Sequence, residues 1–260
     1  MTFHPRMVAL DIDGTLVDRD DTLPGSVVCA VNRVTAAGVP VVLATGRGLV
    51  GARDVHRRLG LPPGDLVVSN GAVSAHTDPF EILDEVTFDP GPVISRVLEL
   101  HPGATVAVEE VGRGYRLNRL FPDGELSGEM LIETVEELSA TPAARVIIRD
   151  PDRPAEDFVD LASRLGMHGV SYVVGWSGWL DITPQGVTKA SGLAHLCERR
   201  GIDPGDVLAL GDGNNDIEML TWAGRGVAMG EAPKQVKQAA DAVTDDFAAG
   251  GTAAELSRWF

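Results

Sequence analysis

Residues 8–16, Val8-Ala9-Leu10-Asp11-Ile12-Asp13-Gly14-Thr15-Leu16, end an apolar run with two carboxylates spaced i, i+2, then a glycine and a hydroxyl. If the run is a buried parallel strand, the acids stand at its carboxyl end, where open α/β sheets bind ligands. With the chain turning at Gly14, both acids reach one crevice, and clustered acids call for a cation. The competing reading is a polar turn after a strand, because Asp and Gly are common turn formers.

A second apolar run, Val41-Val42-Leu43-Ala44, ends in Thr45-Gly46-Arg47 at the start of a helical pattern. A hydroxyl and backbone N–H groups at a helix N-terminus form a phosphate seat, although Thr45 also serves as a plain N-cap. Lys189 follows Gly186-Val187-Thr188 at the start of a later helical segment. A lone lysine is usually a solvated surface charge, but a cation at this end opposes the helix dipole, which points to a partner there. The densest polar cluster, Gly211-Asp212-Gly213-Asn214-Asn215-Asp216, opens from the apolar run 207–210. Its hard oxygen donors suit Mg2+. A calcium EF-hand loop competes, with Asp212, Asn214 and Asp216 at positions 1, 3 and 5. It fails because position 6 is Ile217 and position 12 is Ala223.

The elements that must position these residues follow from the alternation of short apolar runs with helical periodicity. Runs at 7–12, 39–44 and 66–69, with a helix from about Gly25 ending at Gly38, spell βαβ grammar. The grammar returns at 207–210, 226–229 and 242–244, with helices from Asn215 and after Pro233. The expected fold is α/β, a Rossmann-like parallel sheet with helices on both faces. Between the halves the texture changes to half-buried strand patterns at 105–109, 115–118, 145–149, 171–174 and 179–182, with helical stretches at 92–100 and 154–165. Residues 81–186 therefore read as an inserted α+β domain, and 1–80 with 187–260 as the core.

Composition sets the outer limits. The 22 basic and 38 acidic residues give a net charge of -16, a surface that repels nucleic-acid phosphates and anionic lipid and leaves no nucleic-acid or membrane partner expected. A mean hydropathy of +0.04 fits a soluble globular chain. The two cysteines, Cys29 and Cys197, show no ligand spacing and read as reduced core thiols. The apolar run behind residues 1–6 is too short for a signal-peptide core or a membrane span, so a cytoplasmic location is expected.

Together the motifs resemble the haloacid dehalogenase superfamily, specifically its Cof-type phosphatases with a large C2-type cap between the second and third motifs. The likeness rests on Asp11-Ile12-Asp13-Gly14-Thr15-Leu16, Ala44-Thr45-Gly46-Arg47, Ser69-Asn70-Gly71-Ala72, the segment 180–189 ending in Lys189, and Gly211-Asp212-Gly213-Asn214-Asn215-Asp216. The tail 239–244 looks like the family's closing strand, whereas 246–251 departs from its common ending. The resemblance implies a Mg2+-dependent phosphatase of a small phosphorylated metabolite, a sugar phosphate or cofactor-like phosphate. In it Asp11 attacks phosphorus to form an aspartyl-phosphate and Asp13 serves as acid and then base. Asp11, the Asp13 backbone carbonyl and Asp212 would hold the metal, with Asp216 a direct or water-mediated ligand. Thr45, Gly46, Arg47, Asn70, Lys189 and Asn215 would seat the phosphoryl group. In capped relatives the insert sets specificity, and Arg113, Arg116, Asn118, Arg149, Trp176 and Trp179 are its polar or aromatic candidates.

Two other activities compete. A sugar phosphomutase uses the same scaffold and returns the phosphoryl group to a sugar. An NAD-dependent oxidoreductase is suggested by Gly46-Arg47-Gly48-Leu49-Val50-Gly51, which satisfies G-x-G-x-x-G with Asp65 further on. Asp65, however, precedes its strand, whereas the ribose-binding acid should follow one.

Overall fold

The computed structural model describes residues 3–166, 168–175 and 178–260. They form two compact units: the chain up to Arg47 with Ala52–Asp84 and Thr188–Phe260, and Gly48–Gly51 with Glu85–Val187.

The first unit opens with β1 (Met7–Leu10), α1 (Gly25–Ala36), β2 (Val41–Ala44), α2 (Leu49–Leu59) and β3 (Asp65–Val68). Every residue of these three strands is buried, as expected of parallel strands covered on both faces. Gly38 has φ +78, the left-handed conformation that stops α1. A 3₁₀ turn at Ser69–Gly71 leads to β4 (Val73–Thr77) and β5 (Phe80–Glu85).

The second unit contains α3 (Gly91–Leu100), β6 (Thr105–Glu110), β7 (Gly114–Leu117), β8 (Glu129–Ile132), α4 (Val135–Leu138), β9 (Val146–Arg149), α5 (Ala155–Leu165), β10 (Val170–Val174) and β11 (Trp179–Pro184). Its six-stranded sheet has the order β10-β11-β9-β6-β7-β8, antiparallel except for the parallel pair β7 and β8. Val93, Ile94 and Val97 of α3 and Phe158, Leu161 and Leu165 of α5 pack on the face that carries Val106, Val108, Val146, Ile148 and Leu180.

The chain then returns to the first unit through α6 (Lys189–Arg200), β12 (Val207–Gly211), α7 (Ile217–Trp222), β13 (Arg225–Ala228), α8 (Lys234–Ala239), β14 (Ala242–Val243) and α9 (Gly251–Leu256). The sheet order is β14-β13-β12-β1-β2-β3-β4-β5, parallel from β14 to β3, with β4 antiparallel to β3. Met7, Ala9, Val207 and Ala209 pack against Leu193 and Leu196 of α6, Met219 of α7 and Val236 of α8. Val8, Leu10, Leu208 and Leu210, equally buried, point by strand alternation to the opposite face. Leu10 is level with Leu210 of β12 and Leu43 of β2. The segments beginning at Asp11, Gly211 and Ala44 therefore leave the sheet side by side.

Residue 81, where the sequence texture changes, lies inside β5, whose residues Phe80–Asp84 the fold keeps with the first unit. Strands β4, β5 and β8 have no counterpart in the sequence reading. All four residues of β8 are exposed, so it shows no alternation to read. Cys197 is buried, but Cys29 is exposed on α1, so only one of the two is a core thiol. Among the described residues no helix is long and apolar enough to cross a membrane.

Two glycines give a direct test of the packing around α6. Gly71 has φ +100, and a Cβ there would lie 2.0 Å from the Thr188 carbonyl oxygen. Gly38 is also left-handed but has nothing within 4 Å. Gly38→Ala should cost only the roughly 1–2 kcal/mol of the left-handed backbone. Gly71→Ala must also push back the start of α6 and should cost more, with a lower urea midpoint than Gly38→Ala.

Candidate active site

The charges gather where β1, β12 and α6 meet. Lys189, the first residue of α6, is held by the capping pair Thr188 and Ser191 and is 1% exposed. Its Nζ donates to Asp11 Oδ1 at 2.6 Å and to Asp216 Oδ1 at 2.6 Å. Asp216, fully buried at the end of the 3₁₀ turn Asn214–Asp216, uses its other oxygen to accept the N–H groups of Asp212 (3.0 Å) and Gly213 (2.8 Å). One carboxylate thus fixes both the lysine and the loop that carries Asp212. Gly14, φ +78, completes the crowding, because a Cβ on it would lie 2.3 Å from Asp212 Oδ2.

One ammonium faces three carboxylates. Burial acts to lower the Lys189 pKa, yet the charges of Asp11 and Asp216 prevail and hold it well above the usual lysine value, so it stays protonated. Burial, and then the charge of Asp216, pushes the Asp11 carboxyl well above the usual carboxylate range, against the pull of Lys189. The same two causes push Asp212 up to about 7. Among the described residues, Asp11, Asp212 and Asp216 can place one carboxylate oxygen each within 4.8 Å of one another. Hard oxygens in uncompensated excess fit a small divalent cation. Because both oxygens of Asp216 already accept hydrogen bonds, Asp11 and Asp212 are the freer donors.

The carboxylate of Asp13 lies outside this trio. It pairs with Arg47, whose Nη2 reaches Oδ1 at 2.6 Å and whose Nε reaches Oδ2 at 3.0 Å. Thr45 is fully buried, and its hydroxyl accepts the Arg47 N–H at 3.0 Å. Since α2 begins only at Leu49, Thr45 organises the loop rather than capping that helix. Ser69 and Asn70 adopt left-handed φ of 53 and 55, and Asn70 N–H donates to the Thr45 carbonyl at 3.0 Å. The Asn215 amide donates to Asn70 Oδ1 at 2.9 Å. That contact orients Asn70 so that its buried Nδ2 remains a donor without a protein acceptor. Gly46 admits the pair, since a Cβ there would stand 3.1 Å from Asn70 Oδ1 and 3.5 Å from Asn215 Nδ2.

Every predicted site residue of the first unit therefore lies in one of two linked groups: Asp11, Lys189, Asp212 and Asp216, or Asp13, Thr45, Gly46, Arg47, Asn70 and Asn215. Asp65 lies elsewhere. It begins β3, accepts two bonds from Arg200 at 2.7 Å and meets His76 at 2.6 Å. It stands at the wrong end of the strand to hold a ribose, which removes the ground for a dinucleotide site.

In the second unit the named candidates are mostly committed to local bonds. Arg113 meets Glu129, Arg116 meets Glu133 and Thr141, Arg149 meets Glu125, and Asn118 bonds the backbone of Val106 and Ala104. Trp179 stacks edge-on with Phe121, and Trp176 lies outside the described residues. The sequence reading missed a buried group on this sheet. Arg145 Nε donates to Asp181 Oδ1 at 2.6 Å, and its Nη1 lies 3.8 Å from Glu109 Oε2 and 3.4 Å from the Tyr115 hydroxyl. These residues come from four separate segments, and no motif spacing announces them.

The chain matches the family of haloacid dehalogenase-like hydrolases over residues 8–256. It is 31% identical over 239 residues to a phosphoglycolate phosphatase of Methanopyrus kandleri, covering 92% of this chain and 90% of that one. A phosphoglycolate phosphatase of Natronomonas pharaonis is 32% identical over 251 residues, 96% of each chain. Among solved structures, a phosphatase of the haloalkanoate (HAD) superfamily from Bacteroides thetaiotaomicron superposes with a TM-score of 0.79 at 27% identity, covering 98% of this chain and 95% of that one.

The crowded carboxylates give a pH signature. An unfolded chain titrates Asp212 near 3.8, the folded one near 7. Between those values the native state holds a proton that the unfolded state has released, so this group's contribution to stability falls as pH rises and levels off above the folded pKa. A divalent cation that binds the deprotonated carboxylate reverses that loss. Its stabilisation, read as a rise in Tm, should be small near pH 5 and large near pH 8. Equal stabilisation at both would show that Asp212 is not a ligand.

Proposed function

Because the chain belongs to the haloacid dehalogenase-like hydrolases and is a phosphatase, we propose that it hydrolyses a small phosphomonoester through an aspartyl-phosphate on Asp11, with Mg2+ as its cofactor. The observation that carries this reading is the buried Lys189 bridge between Asp11 and Asp216 beside Asp212. Such an arrangement holds a carboxylate nucleophile and an anion-binding ammonium at one spot.

Asp11, steadied through Oδ1 by Lys189, presents its other oxygen to phosphorus, and the ammonium offsets charge on the phosphoryl oxygens as the bond forms. The unpartnered Nδ2 of Asn70 and the N–H groups around Thr45 and Gly46 are further donors to those oxygens. Asp13 protonates the departing oxygen, then takes the proton of the water that hydrolyses the acyl phosphate. Its bonds already occupy Nε and Nη2 of Arg47, which leaves Nη1 to reach the phosphoryl group. Asp11 and Asp212 would hold Mg2+ directly, with the Asp13 carbonyl, while Asp216 holds the loop. When bound, the ion supplies positive charge between carboxylate and phosphate that lets two anions meet.

The named relatives make phosphoglycolate the first substrate to try, followed by sugar phosphates and cofactor phosphates. Release of inorganic phosphate from one of them, lost in excess chelator and restored by Mg2+, is the expected result. Transfer to an acceptor sugar without phosphate release would instead identify a mutase.

Asp11→Asn should lower turnover by at least about 10³-fold with an unchanged fold; near-normal turnover would rule out the covalent step. Asp13→Asn should slow an alkyl phosphate by roughly 10²–10⁴-fold. An aryl phosphate, whose leaving group needs little protonation, should form the phospho-enzyme with a smaller loss, so the intermediate accumulates in rapid quench. Loss of cation binding in Asp13→Asn, with rates restored by saturating Mg2+, would make its side chain a ligand instead.

A further inference from the structure

Arg47 is held from behind by residues that lie outside every motif. Its Nη2 donates at once to Asp13 Oδ1 at 2.6 Å and to Asp21 Oδ1 at 2.7 Å. Asp21 in turn is gripped by Arg58 of α2, whose Nη1 pairs with Asp21 Oδ2 and whose Nη2 donates to the Asp21 carbonyl at 2.5 Å. Asp21 takes a left-handed φ of 59, uncommon for a residue with a side chain, and this turns both its carbonyl and its carboxylate to Arg58. The loop around it is built for the purpose. Asp18 Oδ1 accepts the N–H groups of Asp20 and Thr22 at 2.9 and 2.8 Å, and Asp18 N–H bonds the Thr22 carbonyl at 3.1 Å.

The order of contacts is therefore Arg58, Asp21, Arg47, Asp13. Asp21 and Arg58 are half-exposed or less, at 49% and 24%, as is Arg47 at 24%. Burial works to raise the Asp21 pKa, yet hydrogen bonds and charge from Arg47 and Arg58 leave it below the usual value, so the carboxylate is ionised and available to both arginines. A guanidinium that met Asp13 alone would follow that carboxylate wherever it moved. Tied to Asp21, it becomes a fixed post.

We propose that Asp21 and Arg58 are positioning residues for catalysis: they anchor Arg47, which in turn sets where the Asp13 carboxylate stands. This rests on the reading of Asp13 as acid and base, and it adds two residues that touch neither phosphate nor metal ligands. Arginine is required at both links because each must bond two acceptors in a fixed fork, which a lysine ammonium does not reproduce.

The test is a double-mutant cycle scored on an alkyl and an aryl phosphate, with Tm recorded for every variant. Asp21→Asn should lower kcat for the alkyl substrate by roughly 3–30-fold, the size of coupling between neighbouring residues, with KM little changed. The aryl substrate should lose less in the phosphorylation step. In an Asp13→Asn background the same substitution should have almost no further effect, since the group it positions is gone. Arg58→Gln reads the same chain of contacts from its other end and keeps the test alive if Asp21→Asn folds poorly, and Arg58→Lys should recover only part of the rate. Equal losses in both backgrounds, or no loss in either, would overturn the proposal. If Asp13→Asn itself fails to discriminate between the two leaving groups, the role given to Asp13 fails instead, and the two failures are distinct.

Discussion

The first unit depends on one buried ammonium. Lys189 sits between Asp11 and Asp216 with both contacts at 2.6 Å and almost no exposure. Removing one partner of a buried ion pair typically costs about 3–5 kcal/mol, because the charge left behind has no water to solvate it. The arrangement is therefore costly to break while adding little net stability, which is the profile expected of a group kept for what it does. It also propagates. Asp216 can turn one oxygen to Lys189 only because its other oxygen is occupied by the N–H groups of Asp212 and Gly213. The loop that offers Asp212, the Asp11 carboxylate and the start of α6 are thus set by a single electrostatic balance.

That balance explains why small residues recur where they do. Gly14 lets Asp212 approach the turn after β1, and Gly71 lets the carbonyl before Lys189 press on the turn after β3. The Asp212 carboxylate at Gly14 and the Thr188 carbonyl at Gly71 leave no volume for a methyl group, and the conformation is one that side chains avoid. Packing and charge are here the same requirement.

Much of this was legible in the chain because parallel strands buried on both faces are written as continuous apolar runs. Each of the three that matter ends in its polar payload: Asp11 after β1, Thr45 after β2, Asp212 after β12. What was hidden falls into two kinds. Strand β8 carries no alternation because no residue of it is buried, so periodicity had nothing to report. The contacts of Asp13 and Asp65 were hidden for a different reason: pairings such as Asp13 with Arg47, or Asp65 with Arg200, join residues far apart in sequence, and a charged residue on a helix reads as solvated until its neighbour is known. Arg58 and Arg145 belong to the same class, ordinary in composition and specific only in three dimensions.

The strand order has a consequence for biosynthesis. β1 lies between β2 and β12, so the first strand made has one neighbour that follows within a few dozen residues and another that emerges only after the whole second unit. At roughly 5–20 residues per second, the interval between β1 and β12 is about 10–40 s on the ribosome. Throughout it, one edge of β1 stays unpaired and Asp11 has no lysine, because its counter-charge lies 178 residues downstream. The nascent first unit cannot close on its own, whereas the insert, continuous from Glu85 to Val187 apart from one short segment, is already complete when β12 appears. The order of translation thus has the later-synthesised third of the chain seal the earliest, and Asp11 gains its buried ion pair only once that third is in place.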